Sequence, residues 1–182
     1  CTATQSASIT EPTILLVSTN VLASVQCAGD STGEIIAFTN SGGTAPYSFA
    51  WSEGTTATGV ASSTLTLLPS GSYTVTLTDA NGCTSSDTRI LNPGVTIAMN
   101  PVVDTILCNG AADASITLNP TGGTTYSYAW SISGSTNSQT NLAPGTYSVT
   151  VTDNATLCSV DSTFVLTEPS AISLTASGTD LT

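Results

Sequence analysis

The sequence predicts an all-β protein built of tandem antiparallel β-sandwiches, and three observations carry that expectation. Gly71 to Cys83 reads GSYTVTLTDANGC and returns at Gly145 to Cys158 as GTYSVTVTDNATLC, so the chain is internally repeated. Within both copies apolar residues alternate with hydroxyl residues at period two, as on a half-buried strand. Tyr73, Val75 and Leu77 fall on one face and Thr74, Thr76 and Thr78 on the other; Tyr147, Val149 and Val151 oppose Ser148, Thr150 and Thr152 in the same way. Finally, turn signals break the 182 residues into short runs, and no stretch shows helical periodicity.

The repeat boundaries follow from matching segments. CTATQSASITEP at residues 1–12 matches Cys83 to Pro93 and Cys158 to Pro169. Residues 1–12 are therefore expected to be the last strand of a preceding repeat. One complete repeat covers 13–93, a second covers 94–169, and 170–182 is expected to open a third. Landmarks recur at 81 residues for Cys27 and Cys108, 79 for Trp51 and Trp130, and 74 for Tyr73 and Tyr147. The pattern reads as a piece of a longer, elongated repeat array whose partners are neighbouring repeats of the same chain and, in a filament, like chains.

Taken in order, the first repeat predicts strands at Ile14–Ser18, Glu34–Thr39, Tyr47–Ser52, Thr64–Leu68, Tyr73–Thr78 and Thr84–Leu91, with a short extra strand at Thr55–Val60. Between them lie Ser41-Gly42-Gly43-Thr44-Ala45-Pro46, Pro69-Ser70-Gly71-Ser72 and Asp79-Ala80-Asn81-Gly82, all turn chemistry. Six or seven strands in so short a repeat make a sandwich. Trp51 and Trp130, each closing a Tyr-x-aromatic-x-Trp strand, and the strand-opening Tyr73 and Tyr147 are the expected core anchors. Leu68-x-x-Gly71-x-Tyr73 resembles the tyrosine corner of immunoglobulin-like domains.

Composition narrows the chemistry. Twelve acidic residues face one Arg, with no Lys and no His, for a net charge of −11. No cationic patch for nucleic acid or an anionic membrane can be assembled. A triad base, a Schiff-base amine and an imidazole metal ligand are missing from the side-chain inventory. There is no run of apolar residues long enough to cross a membrane as a helix. Ser and Thr make up about a third of the chain, which suits an extracellular β protein whose outer faces carry hydroxyls in place of ions.

The five cysteines lack zinc or redox spacing, so disulfides are the expected state. Pairing Cys27 with Cys83 and Cys108 with Cys158 would give each repeat its own staple. Pairing Cys1 with Cys27 and Cys83 with Cys108 would link neighbours instead. The self-contained scheme is the expectation, because an array domain should fold alone. A seven-strand order counts against it by placing Cys27 and Cys83 at opposite ends; a six-strand order would bring them together.

The residues Cys27, Gly29, Gly42, Gly43, Thr44, Pro46, Tyr47, Trp51, Ser52, Leu68, Gly71, Tyr73, Val75, Asp79, Gly82 and Cys83 form a pattern that resembles the SprB repeat of long Bacteroidota surface adhesins. The second copy departs from it at Thr125, Thr156 and the inserted Leu157. The resemblance implies immunoglobulin-like repeats, type IX export, cell-surface anchoring, and an adhesive or filamentous role, gliding motility included.

Candidate sites divide against that background. Asp79-Ala80-Asn81-Gly82 has the oxygen spacing of half a calcium loop, yet a full loop needs several more ligands, and a hairpin turn accounts for it. Asp30 with Glu34, or Asp104 with Asp113, are expected to be solvated acids and not glycosidase carboxylates. The family resemblance makes Ser31, Thr105 and Ser162, each following an Asp, candidates for O-glycosylation. The expectation is a non-enzymatic structural and adhesive module without cofactor or metal. A carbohydrate-binding module using exposed aromatics, with surface polysaccharide as partner, is the alternative.

Overall fold

The computed structural model describes Cys1, Thr4, Gln5, Ala7 and residues 10–175. The chain divides into two compact units, Cys1–Gly94 and Val95–Thr182. The described part of each contains strands and turns and no helix. Much of the expected end strands lies outside the described residues; residues 10–15 and 167–175, which are described, carry no strand.

In the first unit seven strands follow one another: β1 (Leu16–Ala23), β2 (Gly33–Ser41), β3 (Ser48–Trp51), β4 (Thr56–Thr58), β5 (Ser62–Leu68), β6 (Gly71–Thr78) and β7 (Thr84–Leu91). One sheet has the order β1-β2-β5 and the other β4-β3-β6-β7, with every pairing antiparallel. Chain neighbours β2 and β3, and β4 and β5, thus lie in different sheets, which makes an immunoglobulin-like sandwich. Ile35 and Ala37 of β2, Phe49 and Trp51 of β3, Leu65 of β5, and Tyr73, Val75 and Leu77 of β6 meet in one buried cluster. The alternation seen in the sequence is the alternation between this core and solvent.

The second unit repeats the plan with six strands: β8 (Pro101–Asp104), β9 (Ala114–Leu118), β10 (Tyr126–Trp130), β11 (Ser138–Leu142), β12 (Gly145–Asp153) and β13 (Ser159–Leu166). Its sheets are β11-β9-β8 and β10-β12-β13. No strand corresponding to β4 occurs among the described residues. Ile116, Leu118, Trp130, Val149 and Val151 form its core, with Tyr126, Tyr128, Tyr147, Val160 and Phe164 packed at the margin.

Hydroxyl ladders line the outer faces. Thr74 and Thr88 share a hydrogen bond of 2.8 Å across β6 and β7, and Thr117 and Ser138 one of 2.9 Å across β9 and β11. Ser115 donates to Asp104 at 2.7 Å and Thr150 to Asp161 at 2.5 Å. All four are directly opposed residues, the arrangement in which cross-strand pairs contribute about 0.2–1 kcal/mol each.

One strand differs from its sequence expectation. β1 begins and ends later than Ile14–Ser18, and polar groups from β7 hold it at Val17 and Thr19. Side chains at alternate positions of β7 reach the open edge of β1: Ser85 accepts from the Val17 N–H at 3.2 Å, and Asp87 from the Thr19 N–H and hydroxyl at 2.8 and 2.7 Å. Arg89 donates to the Thr19 hydroxyl at 3.2 Å and also to its carbonyl. Thr19, 1% exposed, is thereby buried as a satisfied polar residue. The zipper occupies backbone groups that an edge strand would otherwise leave unpaired. At the matching positions of β13 stand Val160, Ser162 and Phe164, and there Val160 and Phe164 pack against the second core in place of the polar zipper.

Candidate functional site

Each repeat has two poles. At the leading pole of the first unit the incoming chain meets the β2–β3 loop and the β6–β7 hairpin. Gly42, at φ +69°, lies so near the Ile14 backbone that a Cβ would collide with it. Asp79 follows the end of β6 and turns inward, accepting from the backbone N–H groups of Thr44, Asn81 and Cys83, each at 2.9 Å. Asn81 donates to the Thr44 hydroxyl at 3.0 Å, Ala80 N–H to the Thr44 carbonyl at 2.9 Å, and the Tyr47 hydroxyl to the Gly42 carbonyl at 3.0 Å. Burial pushes the Asp79 pKa up, but the N–H groups of Thr44, Cys83, Asn81 and Gly82 outweigh it and hold the carboxyl below its usual value.

Asp153 performs the same task in the second unit. It accepts from the Thr156 hydroxyl at 2.6 Å and N–H at 3.0 Å, and from the Thr124 N–H at 2.9 Å. The Thr156 hydroxyl, then the Thr124 N–H, overcome the effect of burial and depress its pKa strongly. Both carboxylates are latches between loops. An N–H cluster presents positive dipole ends, which is poor surroundings for a cation, so Asp79 works here as a turn anchor and not as part of a calcium loop.

The tyrosine corner is present twice. The Tyr73 hydroxyl donates to the Pro69 carbonyl and the Tyr147 hydroxyl to the Ala143 carbonyl, both at 2.8 Å. Tyr73 is buried and Tyr147 half-buried. Trp51 and Trp130 are buried, and their indole N–H groups are satisfied by the Ser63 hydroxyl at 3.0 Å and the Thr136 carbonyl at 2.9 Å.

The cysteines correct the self-contained pairing. Cys83 and Cys108 are exposed free thiols, as is Cys1, whereas Cys27 and Cys158 are disulfide-bonded. The reason is geometric. Cys83 sits at the leading pole, just before β7 begins at Thr84. Cys27 sits at the trailing pole, where β7 has ended and where Gly94 lies against the Gln26 and Cys27 backbone. Eight residues of β7 at about 3.3 Å each separate the poles by ~26 Å, while a disulfide needs Cα atoms within roughly 7 Å. The second unit repeats the separation. Cys158 precedes β13, and beyond the end of β13 the Asn109 side chain donates to the Pro169 carbonyl at 3.0 Å, fixing the Cys108 loop there. The seven-strand order decided the matter as its geometry requires, and the six-strand unit behaves alike.

The poles also carry the described clefts. One of about 460 Å³ at the leading pole of the first unit is lined by Ile14, Gly42, Asp79, Asn81 and Cys83 among others. Another of about 350 Å³ at the trailing pole of the second unit is lined by Leu107, Cys108, Asn109, Pro169 and Ile172 among others. Asp30, Glu34, Asp104 and Asp113 border neither. Asp104 is paired to Ser115, and Asp113 accepts from the Leu107 N–H at 3.3 Å. Among the described residues no group of three or more His, Cys, Asp or Glu could hold a metal ion.

Of the three candidate glycosylation hydroxyls, Ser31 and Thr105 are exposed in loops, whereas Ser162 is half-buried on β13. All ten aromatic side chains are buried or half-buried. Sequence reasoning missed the Ser85–Asp87–Arg89 zipper and the two Asp latches. A charge alternation on β7 and an Asp closing β6 and β12 were the available signals.

The strand order, the paired tyrosine corners and the disulfide-bearing poles define a tandem immunoglobulin-like module. Residues 19–56 and 101–135 both match the SprB repeat family, one segment in each unit. Among solved structures it is similar to the C-terminal 282-residue fragment of intimin, solved with the intimin-binding domain of the translocated intimin receptor. That match has 13% identity and a TM-score of 0.36, covering 88% of this chain and 64% of that one. It is also similar to a BSP domain of a biofilm associated protein, at 16% identity and a TM-score of 0.28, covering 86% of this chain and 30% of that one. No curated protein matches the chain.

Proposed function

We propose that the chain is a run of structural repeats from a long secreted bacterial surface adhesin or filament, exported by a Bacteroidota cell through the type IX route and serving attachment or gliding. The observation that carries this reading is what the two repeats share. Tyr73 and Tyr147, Trp51 and Trp130, and Asp79 and Asp153 keep their structural tasks. The polar groups around that framework differ between repeats: Glu34 gives way to Ser115, and the Asp87 and Arg89 that hold β1 in the first repeat give way to Ser162 and Phe164 in the second. The framework is what is repeated, and the work of the chain is to hold its form in series.

The hydroxyl-rich, acidic surface supports life outside the cell, where it opposes non-specific association and disulfides persist. Sugars at Ser31 and Thr105 would extend that surface, and intact-mass analysis of native protein reads their presence directly. The carbohydrate-binding alternative requires a platform of exposed rings, whereas nine of the ten aromatic side chains lie in or against the two cores and the tenth, Phe38, stands half-buried by itself on the outer face of β2. Immunogold labelling of intact cells with antibodies to this chain tests the main reading. Label along surface threads is expected; label confined to the cell interior contradicts it.

A further inference from the structure

We propose that the outer edge of β10 is a lateral docking site for the β10 of a second copy of this chain, the two strands pairing antiparallel about Tyr128 to join their sheets. The site arises from a shortened link. In the first repeat ten residues, 52–61, join β3 to β5, and some of them return along β3 as β4. There the Trp51 N–H donates to the Thr55 carbonyl at 2.9 Å and the Gly59 N–H to the Tyr47 carbonyl at 2.8 Å. In the second repeat only seven residues, 131–137, join β10 to β11. They cross directly to the other sheet, where the Leu118 N–H donates to the Asn137 carbonyl at 2.8 Å. β10 is left at the edge of its sheet, and no described strand pairs with its outer side.

Two flanking hydrogen bonds fix which backbone groups face outward. The Asn154 N–H donates to the Thr125 carbonyl and the Ser131 N–H to the Ser148 carbonyl, both at 2.8 Å, so Thr125 and Ser131 turn toward the β12 side. By alternation along an extended chain, the N–H and C=O groups of Tyr126, Tyr128 and Trp130 turn the other way. Sheet edges in folded proteins are guarded against added strands by charge, proline or a bulge. The other three described edges of this unit have such guards: Pro101 and Asp104 on β8, a register shift between Gln139 and Leu142 on β11, and the exposed Asp161 on β13. β10 has no charge, no proline and an unbroken register.

Three features favour a second copy as the occupant. β4 shows that the equivalent edge of the first repeat accepts an antiparallel strand. The β10 edge is also self-complementary. Pairing about Tyr128 sets Tyr126 opposite Trp130 and the small, exposed Ser127 opposite Ala129, and each outward donor meets an outward acceptor. Charge supplies the third feature. At a net charge of −11 copies of this chain repel one another over most of their surface, but no charged residue occurs between Asp113 and Asp153. At β10 two copies meet without opposed like charges. In a filament this contact would join chains side by side. The inference stands on the β10 backbone and not on the surface location proposed above, so either can fail without the other.

The test uses the whole chain with its free thiols capped by iodoacetamide, followed by sedimentation equilibrium and by amide hydrogen exchange over a range of concentrations. A monomer–dimer equilibrium is expected, with the amides of Tyr126, Tyr128 and Trp130 exchanging more slowly as dimer forms. Ser127→Lys combined with Ala129→Lys sets like charges opposite each other twice and should weaken the dimer roughly tenfold or more. Ser127→Lys combined with Ala129→Glu sets opposite charges face to face and should restore it. Monomer at every concentration, slow exchange at these amides already in monomer, dimer without slowed exchange there, or equal affinity in the two double variants would each overturn the proposal.

Discussion

Arg89 and Thr19 bind β7 to β1 across the edge of the first sandwich: the guanidinium reaches both the hydroxyl and the carbonyl of one buried threonine. The single cationic side chain of the chain thus holds an edge strand in place. Arg89→Ala leaves the Thr19 carbonyl without that donor and Asp87 without its nearest positive neighbour. A loss of about 1–3 kcal/mol in the first repeat is expected. Urea unfolding followed by Trp51 fluorescence in a Trp130→Phe chain measures it. A loss within experimental error would mean the zipper is ornamental.

The two tyrosine corners differ in burial, and the difference sets their order. Tyr73→Phe strands the Pro69 carbonyl under a buried ring and should cost about 1 kcal/mol. Tyr147→Phe removes the same bond at a half-exposed site, where water can replace the hydroxyl, and should cost less. Thermal melts of both variants check the ranking; an equal or reversed ranking would contradict it.

Acid should weaken both repeats. Asp79, Asp87 and Asp153 have folded pKa values below the usual carboxylate value. For Asp87 the main cause is the Thr19 hydroxyl, with the Arg89 charge a lesser one. A depressed folded pKa contributes stability that is complete above the unfolded value near ~3.9 and is lost as pH falls through the folded value. Tm should therefore stay level from neutral to about pH 5 and drop below about pH 4. Asp153→Asn should lower the Tm at neutral pH, with its deficit shrinking as the pH falls. A deficit that widens in acid would show the latch argument to have the wrong sign.

Damage to one core should stay in its repeat. Leu77 is fully buried in the first cluster, and Leu77→Ala should cost about 2–5 kcal/mol there. In reducing buffer the transition reported by Trp51 should shift while that reported by Trp130 should not, the two tryptophans being read in separate single-tryptophan chains. A matching shift at Trp130 would contradict independent folding of the repeats.

Much of the fold was legible because it rests on period-two alternation and turn residues. Tyr73, Val75 and Leu77 are inward as their spacing predicts, the extra strand after Trp51 exists, and Tyr73 makes the corner its context implies. The length of β1 was not legible. A buried Thr19 looks like a surface residue until the β7 side chains that satisfy it are brought beside it. The disulfide pattern was hidden for a related reason. Only the distance between poles excludes the pairing of Cys27 with Cys83, and spacing in sequence does not report that distance. Asp79 and Asp153 likewise read as turn residues, and their role as latches appears only with the β2–β3 and β9–β10 loops folded over them.

Pulling the chain from its two ends in reducing buffer tests most directly the claim that its work is to bear form in series. Two force peaks are expected, one per repeat, each releasing roughly 25 nm of chain, with the first peak weakened by Arg89→Ala. A featureless extension at low force, or one peak releasing the whole chain, would contradict a module that functions by repetition.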